Sequence, residues 1–404
     1  MIVSHGEELC VPAPGWSVAV VHNRYLQPGG EDAAVAVDVA LLEARGHPVA
    51  RYDVDNRAIA AMTAAAAARA AVWNPDVRHD LGALLARERP AVAHFHNTFP
   101  LVSPAAYAAA RDAGVAVVQS LHNYRLLCPN AVLFRDGRVC EDCLTRRVKW
   151  PGVAHACYRD SRPASAATAG MLAVHWTAGT YERAVDVYVA HTEFARRKFV
   201  EGGLPADRIM VRPSFVGDDP GAGRHDAGYA LFVGRLSPEK GLGTLLGAWH
   251  RLAEPRPLKI VGSGPLESTL DRTVPGVEFL GARPRADVLA LMRDAAFLVF
   301  PSECYENFPM ALAEAFATGL PVVAAGHGAA AEIIEHGRTG RHFVPGDVDA
   351  LARAAEWAFD HPCERLNMGA AARREFEARY TADHAYARLM DIYERATARA
   401  AERR

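Results

Sequence analysis

Two glutamates eight positions apart, Glu306 and Glu314, are the chemically richest feature of this sequence. They lie in the run Pro301-Ser302-Glu303-Cys304-Tyr305-Glu306-Asn307-Phe308-Pro309-Met310-Ala311-Leu312-Ala313-Glu314-Ala315-Phe316-Ala317-Thr318-Gly319-Leu320-Pro321. Pro309 suits the first turn of a helix, where its missing N–H costs nothing, and Gly319 followed by Pro321 ends that helix. Glu306 then precedes a short helix and Glu314 lies inside it. The amides of Asn307 and Phe308 fall at the helix N-terminus, where unpaired N–H groups favour an anion. A carboxylate beside such an anion site, with a second about two turns on, can hold the hydroxyls of a sugar and a ribose flanking a diphosphate.

Other segments could serve the same chemistry. Gly234-Arg235-Leu236-Ser237-Pro238-Glu239-Lys240-Gly241 follows the strand predicted over residues 229–233. Arg offers a planar fork of donors and Lys a point charge, so a tight loop carrying both can clamp a diphosphate. Two solvated cations on a surface loop are the competing explanation. Gly262-Ser263-Gly264-Pro265 follows the next strand but lacks the full glycine fingerprint and acidic partner of a dinucleotide site, which argues against a dehydrogenase. Near the N-terminus, His22-Asn23-Arg24-Tyr25-Leu26-Gln27-Pro28-Gly29-Gly30-Glu31-Asp32 joins a strand to a helix. Its paired glycines let a ligand approach backbone amides. His94, His96 and Asn97 end one predicted strand, and His122 ends the next. These histidines lack helical metal-ligand spacing.

Taken together, the two-glutamate run, the Arg235–Lys240 loop and the first glycine loop resemble the retaining family 4 glycosyltransferases, glycosyl transferases group 1. The resemblance implies an α/β GT-B fold, two doubly wound Rossmann-like domains facing each other across a cleft. It implies that Arg235 and Lys240 bind the donor diphosphate and stabilise the leaving nucleotide, as preorganised donors do where charge develops. Glu306 would hold the transferred sugar and Glu314 the ribose. Gly29, Gly30, Gly262, Gly264, Asn307 and Phe308 would complete the donor site, and residues 279–283 resemble the place where the base is held. His122 matches the family's active-site histidine, giving a catalytic set of His122, Arg235, Lys240 and Glu306. His96, Asn97 and Tyr124 fall on the acceptor side.

The implied reaction moves a sugar from a nucleotide-diphosphate sugar to a hydroxyl of a glycan, lipid-linked or small-molecule acceptor. It retains configuration by front-face attack and needs no metal or other cofactor. A same-fold epimerase or hydrolase, and a non-catalytic sugar-nucleotide-binding protein, are the alternatives. The Asn-Arg-Tyr and Gly-Gly-Glu-Asp ends of the first loop look like one bacterial subgroup.

Four cysteines, Cys128, Cys140, Cys143 and Cys157, are spaced C-x11-C-x2-C-x13-C. The Cys140–Cys143 knuckle suits a tetrahedral thiolate set, so a structural Zn²⁺ is expected there. Scattered buried thiols that bind nothing are one alternative, and a redox pair or an iron–sulfur site another; the redox motif, however, opens a helix in a thioredoxin-like unit, absent here. The general family lacks this insert. With Arg146, Arg147, Lys149 and Trp150, it is expected to form a flap near the acceptor side.

The chain has 404 residues and a formal net charge of −2, so no global basic field argues for nucleic acid. Half the residues are apolar, yet no apolar run approaches the ~20 residues of a membrane span. The first fifteen residues lack the basic and apolar regions of a signal peptide, and a cytoplasmic protein with at most peripheral membrane contact is expected. Alternating apolar runs and helical stretches predict parallel sheets covered by helices. The expected organisation is a loose extension over 1–15, an acceptor-side domain over 16–216 with the insert at 128–157, and a linker over 217–228. A nucleotide-sugar domain over 229–380 follows, and a helix over 381–404 crosses back to the first domain.

Overall fold

The computed structural model describes residues 16–26 and 29–403. The extension expected over 1–15, like Gln27, Pro28 and Arg404, lies outside the described residues. The strands run in chain order as β1 (Val18–Arg24), β2 (Val49–Asp55), β3 (Val92–Asn97) and β4 (Ala116–Ser120), then a short hairpin of β5 (Phe134–Arg135) and β6 (Arg138–Val139). Next come β7 (Val187–Ala190), β8 (Ile209–Val211), β9 (Ala230–Val233), β10 (Leu258–Val261), β11 (Val277–Gly281), β12 (Phe297–Phe300), β13 (Val322–Ala325) and β14 (Gly340–Phe343).

They form two six-stranded sheets, ordered β2-β1-β3-β4-β7-β8 and β11-β10-β9-β12-β13-β14, with the hairpin apart. Every pairing within the large sheets is parallel. Parallel strands carry helices on both faces and so need apolar side chains on both. The central strands comply: β4, β7, β12 and β13 are buried at every residue. Each sheet has a hydrophobic cluster on either side.

The final helix, Ala382–Glu402, packs on the first sheet. Its Leu389, Ile392, Tyr393 and Ala396 join Val18, Val20, Val118 and Val187 in one buried cluster. Side chains such as Leu389 and Ile392 contribute about 1.5–3 kcal/mol each when fully buried. A buried ion pair fastens the same helix. Arg212 Nη2 meets Asp38 Oδ1 at 2.6 Å, and Arg212 Nε donates to the carbonyl of Ala385 at 3.0 Å. Burial pushes the Asp38 pKa up, but Arg212 outweighs it and holds the carboxyl below its ordinary range. Residues 217–228 carry no helix or strand. They are strapped to the second domain by His225, whose two ring nitrogens bond the carbonyls of Ala295 (3.1 Å) and Thr318 (3.0 Å).

Several local expectations change. Residues 58–72 are alanine-rich and by composition suit a single helix, but they form a 3-10 turn, Asn56–Ala61, and then a helix, Ala64–Val72, opened by the Thr63 side chain accepting from the Ala66 amide at 3.2 Å. Edge strands β8 and β14 were not anticipated; each is three or four residues long. The helix of the two-glutamate run is Met310–Thr318, so Pro309 is its N-cap and not its first turn. Gly319 ends it in the left-handed region, φ 73°, where glycine carries no Cβ penalty. β4 stops at Ser120, which leaves His122 in the following loop.

Candidate active site in the interdomain cleft

Two close chain crossings build the second-domain wall. Gly241 has φ 70°, and a Cβ there would lie 2.0 Å from the Pro301 carbonyl oxygen. Only glycine lets the 234–241 loop press this closely on the 301–307 loop. The result is an ion pair between Lys240 Nζ and the Glu306 carboxylate, which also accepts from Ser302 Oγ at 2.8 Å. Burial lowers the Lys240 pKa, but the Glu306 carboxylate more than offsets it and keeps the ammonium charged. Gly262 serves the other crossing: with φ 142°, a Cβ there would lie 1.8 Å from the Gly234 carbonyl oxygen. This glycine therefore seats the loop that carries Arg235. Arg235 is exposed and has no ion-pair partner among the described residues.

A cavity of about 1030 Å³ opens between the walls, lined by Gly29, Gly30, Arg235, Lys240, Gly262 and Gly264. Gly29 and Gly30 have open space where a Cβ would project, so their backbone is accessible. Two smaller hollows adjoin at Gly30, of about 260 and 130 Å³, and Glu314 lines both. Arg285 Nε donates to Glu314 at 2.9 Å. Burial raises the Glu314 pKa and this contact opposes the rise.

Asn307 and Phe308 lie just before the helix. The Asn307 carbonyl accepts from Thr192 Oγ1 of the other domain at 3.2 Å, while its own side-chain oxygen is buried without a partner. Phe308 packs toward the second-domain core, 5.7 Å from the Tyr380 ring. A further interdomain contact is made by Glu332, whose carboxylate accepts the amides of Glu193 (2.8 Å) and Phe194 (2.6 Å) at the start of the helix Glu193–Glu201.

On the first-domain side His122 and His191 line the 130 Å³ hollow, and a buried row of histidines runs behind them. His94 stacks on His96 at 4.3 Å, His96 on His122 at 5.2 Å, and His122 lies 4.8 Å from His191. A 2.9 Å hydrogen bond joins His96 Nδ1 to His122 Nε2. His94 bonds the Tyr393 and Ser120 hydroxyls, both at 2.9 Å. Burial, with repulsion from neighbouring cationic groups, lowers His94 to about 3; burial also lowers His191 to about 4. His96 and His122 fall well below their ordinary value for the same first reason. The row is therefore neutral at pH 7, and His122 lines the 130 Å³ hollow beside Glu314.

The remaining acceptor-side residues are more enclosed. Asn97 is spent on the loop itself, donating to the Asn23 carbonyl at 2.8 Å and accepting from the Phe99 amide at 3.0 Å. Tyr124 is 1% exposed, stacked 5.4 Å from Phe199 in the first-domain core.

Sequence reasoning assigned the glycines of the Gly-Gly-Glu-Asp run and passed over its acids. Asp32 accepts the Gly29 amide at 2.9 Å and meets His22 Nε2 at 2.9 Å. Glu31 accepts from Tyr25 OH at 2.8 Å and Asn123 Nδ2 at 3.1 Å, and its other oxygen is buried without a partner. Burial pushes the Glu31 carboxyl up to about 7. The visible signal was the acid pair itself, but acids in a first helical turn have an ordinary explanation in the helix dipole.

In the insert, Cys128 and Cys143 are buried, Cys140 and Cys157 partly so, and all four are free thiols. No group of three or more His, Cys, Asp or Glu side chains among the described residues is arranged to hold a metal ion. Lys149, one of the flap residues, is 1% exposed. Its ammonium donates to the carbonyls of Cys143 (2.9 Å) and Leu144 (3.3 Å), because it closes the knuckle from beneath. The insert reaches the helix Glu193–Glu201 through Glu141, 2.8 Å from Lys198.

Residues 227–361 match the family described as glycosyl transferases group 1. The chain is similar to the amylovoran biosynthesis glycosyltransferase AmsK of Erwinia amylovora, 29% identical over 221 residues, which cover 50% of this chain and 54% of that protein. It is 34% identical over 153 residues to a glycogen synthase of Mycobacterium tuberculosis, covering 36% of this chain and 37% of the enzyme. The chain thus spans about half, or less, of the length of these relatives. Among solved structures, Anabaena Alr3699/HepE in complex with UDP superposes with a TM-score of 0.66 at 18% identity, covering 93% of this chain and 98% of that one. Sucrose-phosphate synthase from Thermosynechococcus elongatus gives a TM-score of 0.70 at 16% identity, covering 95% and 99%. Two parallel six-stranded sheets, a cleft between them and these superpositions identify the fold as GT-B, with the glycosyl transferases group 1 match in its second domain.

Proposed function

We propose that this protein transfers a sugar from a nucleoside-diphosphate sugar to an acceptor hydroxyl, with retention of configuration and no metal in the chemistry. One observation carries the reading: Arg235, Lys240 and the open backbone of Gly29 and Gly30 line one cavity, with Glu306 paired to Lys240 at its edge. The relative named a glycosyltransferase, and the superposed structure in complex with UDP, support it.

In this reading the donor diphosphate takes Lys240 from Glu306 and also engages Arg235. The freed Glu306 carboxylate accepts hydrogen bonds from the sugar. The ribose hydroxyls bond Glu314, which Arg285 holds in place. The acceptor oxygen bonds to the anomeric carbon on the face that the diphosphate leaves. The carbon–phosphate-oxygen bond breaks, and the acceptor's proton passes to the departing phosphate. Cations already in place where negative charge develops lower that barrier without reorganising. His122 donates or accepts a hydrogen bond at the sugar as a neutral ring, oriented by His96. Asn97 and Tyr124 act on the acceptor side by shaping the loops behind it.

The deciding experiment measures nucleoside diphosphate release with and without added acceptor. Release that rises with an acceptor hydroxyl supports transfer. Conversion or hydrolysis independent of acceptor points to an epimerase or hydrolase, and binding without turnover to a sensor.

The insert carries a separate proposal, a structural Zn²⁺ on Cys128, Cys140, Cys143 and Cys157. It rests on the sequence spacing alone, the Cys140–Cys143 knuckle flanked by Cys128 and Cys157; among the described residues these thiols are not arranged as a ligand set. Four thiolates leave no open coordination position, so such a metal orders chain and does no chemistry. Elemental analysis of protein purified without added metal tests it. About one zinc per chain is expected; no zinc, with four freely titrating thiols, removes the proposal. We place the reaction in the cytoplasm, consistent with the free thiols; cell fractionation tests this.

A further inference from the structure

A hollow of about 610 Å³ lies outside the cleft, at the edge of the second sheet. β14 supplies Arg341 and His342, the helix Val348–Asp360 supplies Arg353, and His336 and Gly326 close the sides. The hollow sits at the carboxyl ends of β13 and β14, the end at which doubly wound sheets present ligand sites.

Its charge is one-sided. No Asp or Glu lines it. The nearby carboxylates are engaged elsewhere: Glu335 with Arg338, Asp349 with Arg251 at 2.7 Å, Glu356 with the Ala253 amide at 3.1 Å, and Asp347 with the Ala350 amide of its own helix at 2.8 Å. Arg341 is fixed by the Trp357 ring, 3.9 Å from its guanidinium carbon. Neither Arg341 nor Arg353 has an ion-pair partner among the described residues, and Arg341 Nε is buried unpaired. His342 Nε2 is buried unpaired as well, and Nδ1 of His336 accepts the His342 amide at 3.0 Å. Buried polar atoms are nearly always paired in native proteins. Guanidinium forks held in a concave surface without a counter-charge suit the planar, charge-assisted recognition of phosphate.

We propose that this hollow is a second anion site, separate from the donor clamp, which takes a phosphate-bearing ligand on Arg341 and Arg353 with His336 and His342 beside it. A free phosphate and a phospholipid headgroup share that chemistry.

The experiment titrates inorganic phosphate into the full chain, following thermal shift and calorimetric heat. Cosedimentation with phosphatidylcholine vesicles, with and without phosphatidylglycerol, runs in parallel. The proteins are the wild type, Arg341→Gln/Arg353→Gln and Lys240→Ala. Arg353→Gln alone serves as the exposed single change that keeps the Arg341–Trp357 contact. Lys240→Ala is expected to keep the binding, while the arginine variants bind about tenfold more weakly and Arg353→Gln keeps its melting temperature. Loss confined to phosphate assigns a soluble ligand, and loss confined to anionic vesicles assigns a headgroup; either supports the site. Binding that survives in both arginine variants, that disappears only in Lys240→Ala, or that is absent for both probes overturns it. None of these outcomes depends on glycosyl transfer.

Discussion

On the second-domain wall of the cleft, Lys240 meets Glu306 and Arg285 meets Glu314; on the first-domain side, His122 and His191 face the cleft and His96 and His94 run behind them, all adjoining as neutral rings. One wall keeps its charges by pairing them. The other keeps its polar groups by giving up charge. Paired charges are ready for exchange, because a diphosphate that takes Lys240 from Glu306 replaces one ion pair with another and adds little new desolvation. Neutral rings hold shape through hydrogen bonds and buried stacking, and that shape lasts only while they remain unprotonated. The second wall is thus built for affinity and charge stabilisation, and the first for geometry.

The largest expected effect breaks the charged wall. Lys240→Ala and Arg235→Ala should each raise the barrier to transfer by about 2–4 kcal/mol, with melting temperatures little changed. Near-normal turnover in both would remove the clamp.

The next effect belongs to the neutral wall. The folded histidines have pKa values below the ordinary 6.5, so the unfolded state binds more protons as pH falls. Stability is therefore lost progressively from pH 6.5 down toward about 4 for His191 and about 3 for His94. At pH 5 this amounts to about 2 kcal/mol per buried ring. Urea unfolding at pH 7 and pH 5 reads it. His94→Gln should flatten the slope, and an unaltered slope would deny the row its role in acid sensitivity.

Much of the charged wall was legible in the sequence because its chemistry sits on three contiguous loops, each with cations or acids at fixed offsets from turn residues. The neutral wall was only partly so. Its rings come from β3 and the loops after β4 and β7, and only the parallel sheet order brings them side by side. His191 went unassigned for that reason. The central strands were readable as apolar runs, whereas β8 and β14 are too short to show a pattern. The alanine-rich stretch has no polar stripe to reveal a break, and only Thr63 marks it. Nothing in the sequence marks Arg341, because its contact with Trp357 joins β14 to a helix that only the fold brings beside it.

Within the charged wall the two glutamates have different tasks. Glu306→Gln should lower turnover while keeping much of the nucleotide affinity, since its sugar contacts strengthen as the bond breaks. Glu314→Gln should mainly weaken nucleotide binding, because a ribose contact is equal in ground and transition states. Steady-state kinetics with calorimetry separates them, and the opposite pattern would exchange the two roles.

The smallest effect concerns Glu31, the first-domain acid whose carboxyl burial lifts to about 7. The folded value exceeds the unfolded one, so its contribution is present below about pH 4.5 and is lost as pH rises through about 7. Burial is the main cause; Asp32 adds to it, while Tyr25, Asn123 and Arg125 oppose it. Glu31→Gln should gain stability relative to wild type across that window, opposite in sign to the histidine effect. A melting-temperature difference independent of pH would contradict the assignment.

The most direct test of the central claim is a calorimetric titration of UDP, GDP, ADP and dTDP into wild type and Lys240→Ala. The donor-clamp account predicts that one of these nucleotides binds wild type without added metal and binds Lys240→Ala at least about tenfold more weakly. Equal binding to both proteins, or no binding of any nucleoside diphosphate, would contradict it.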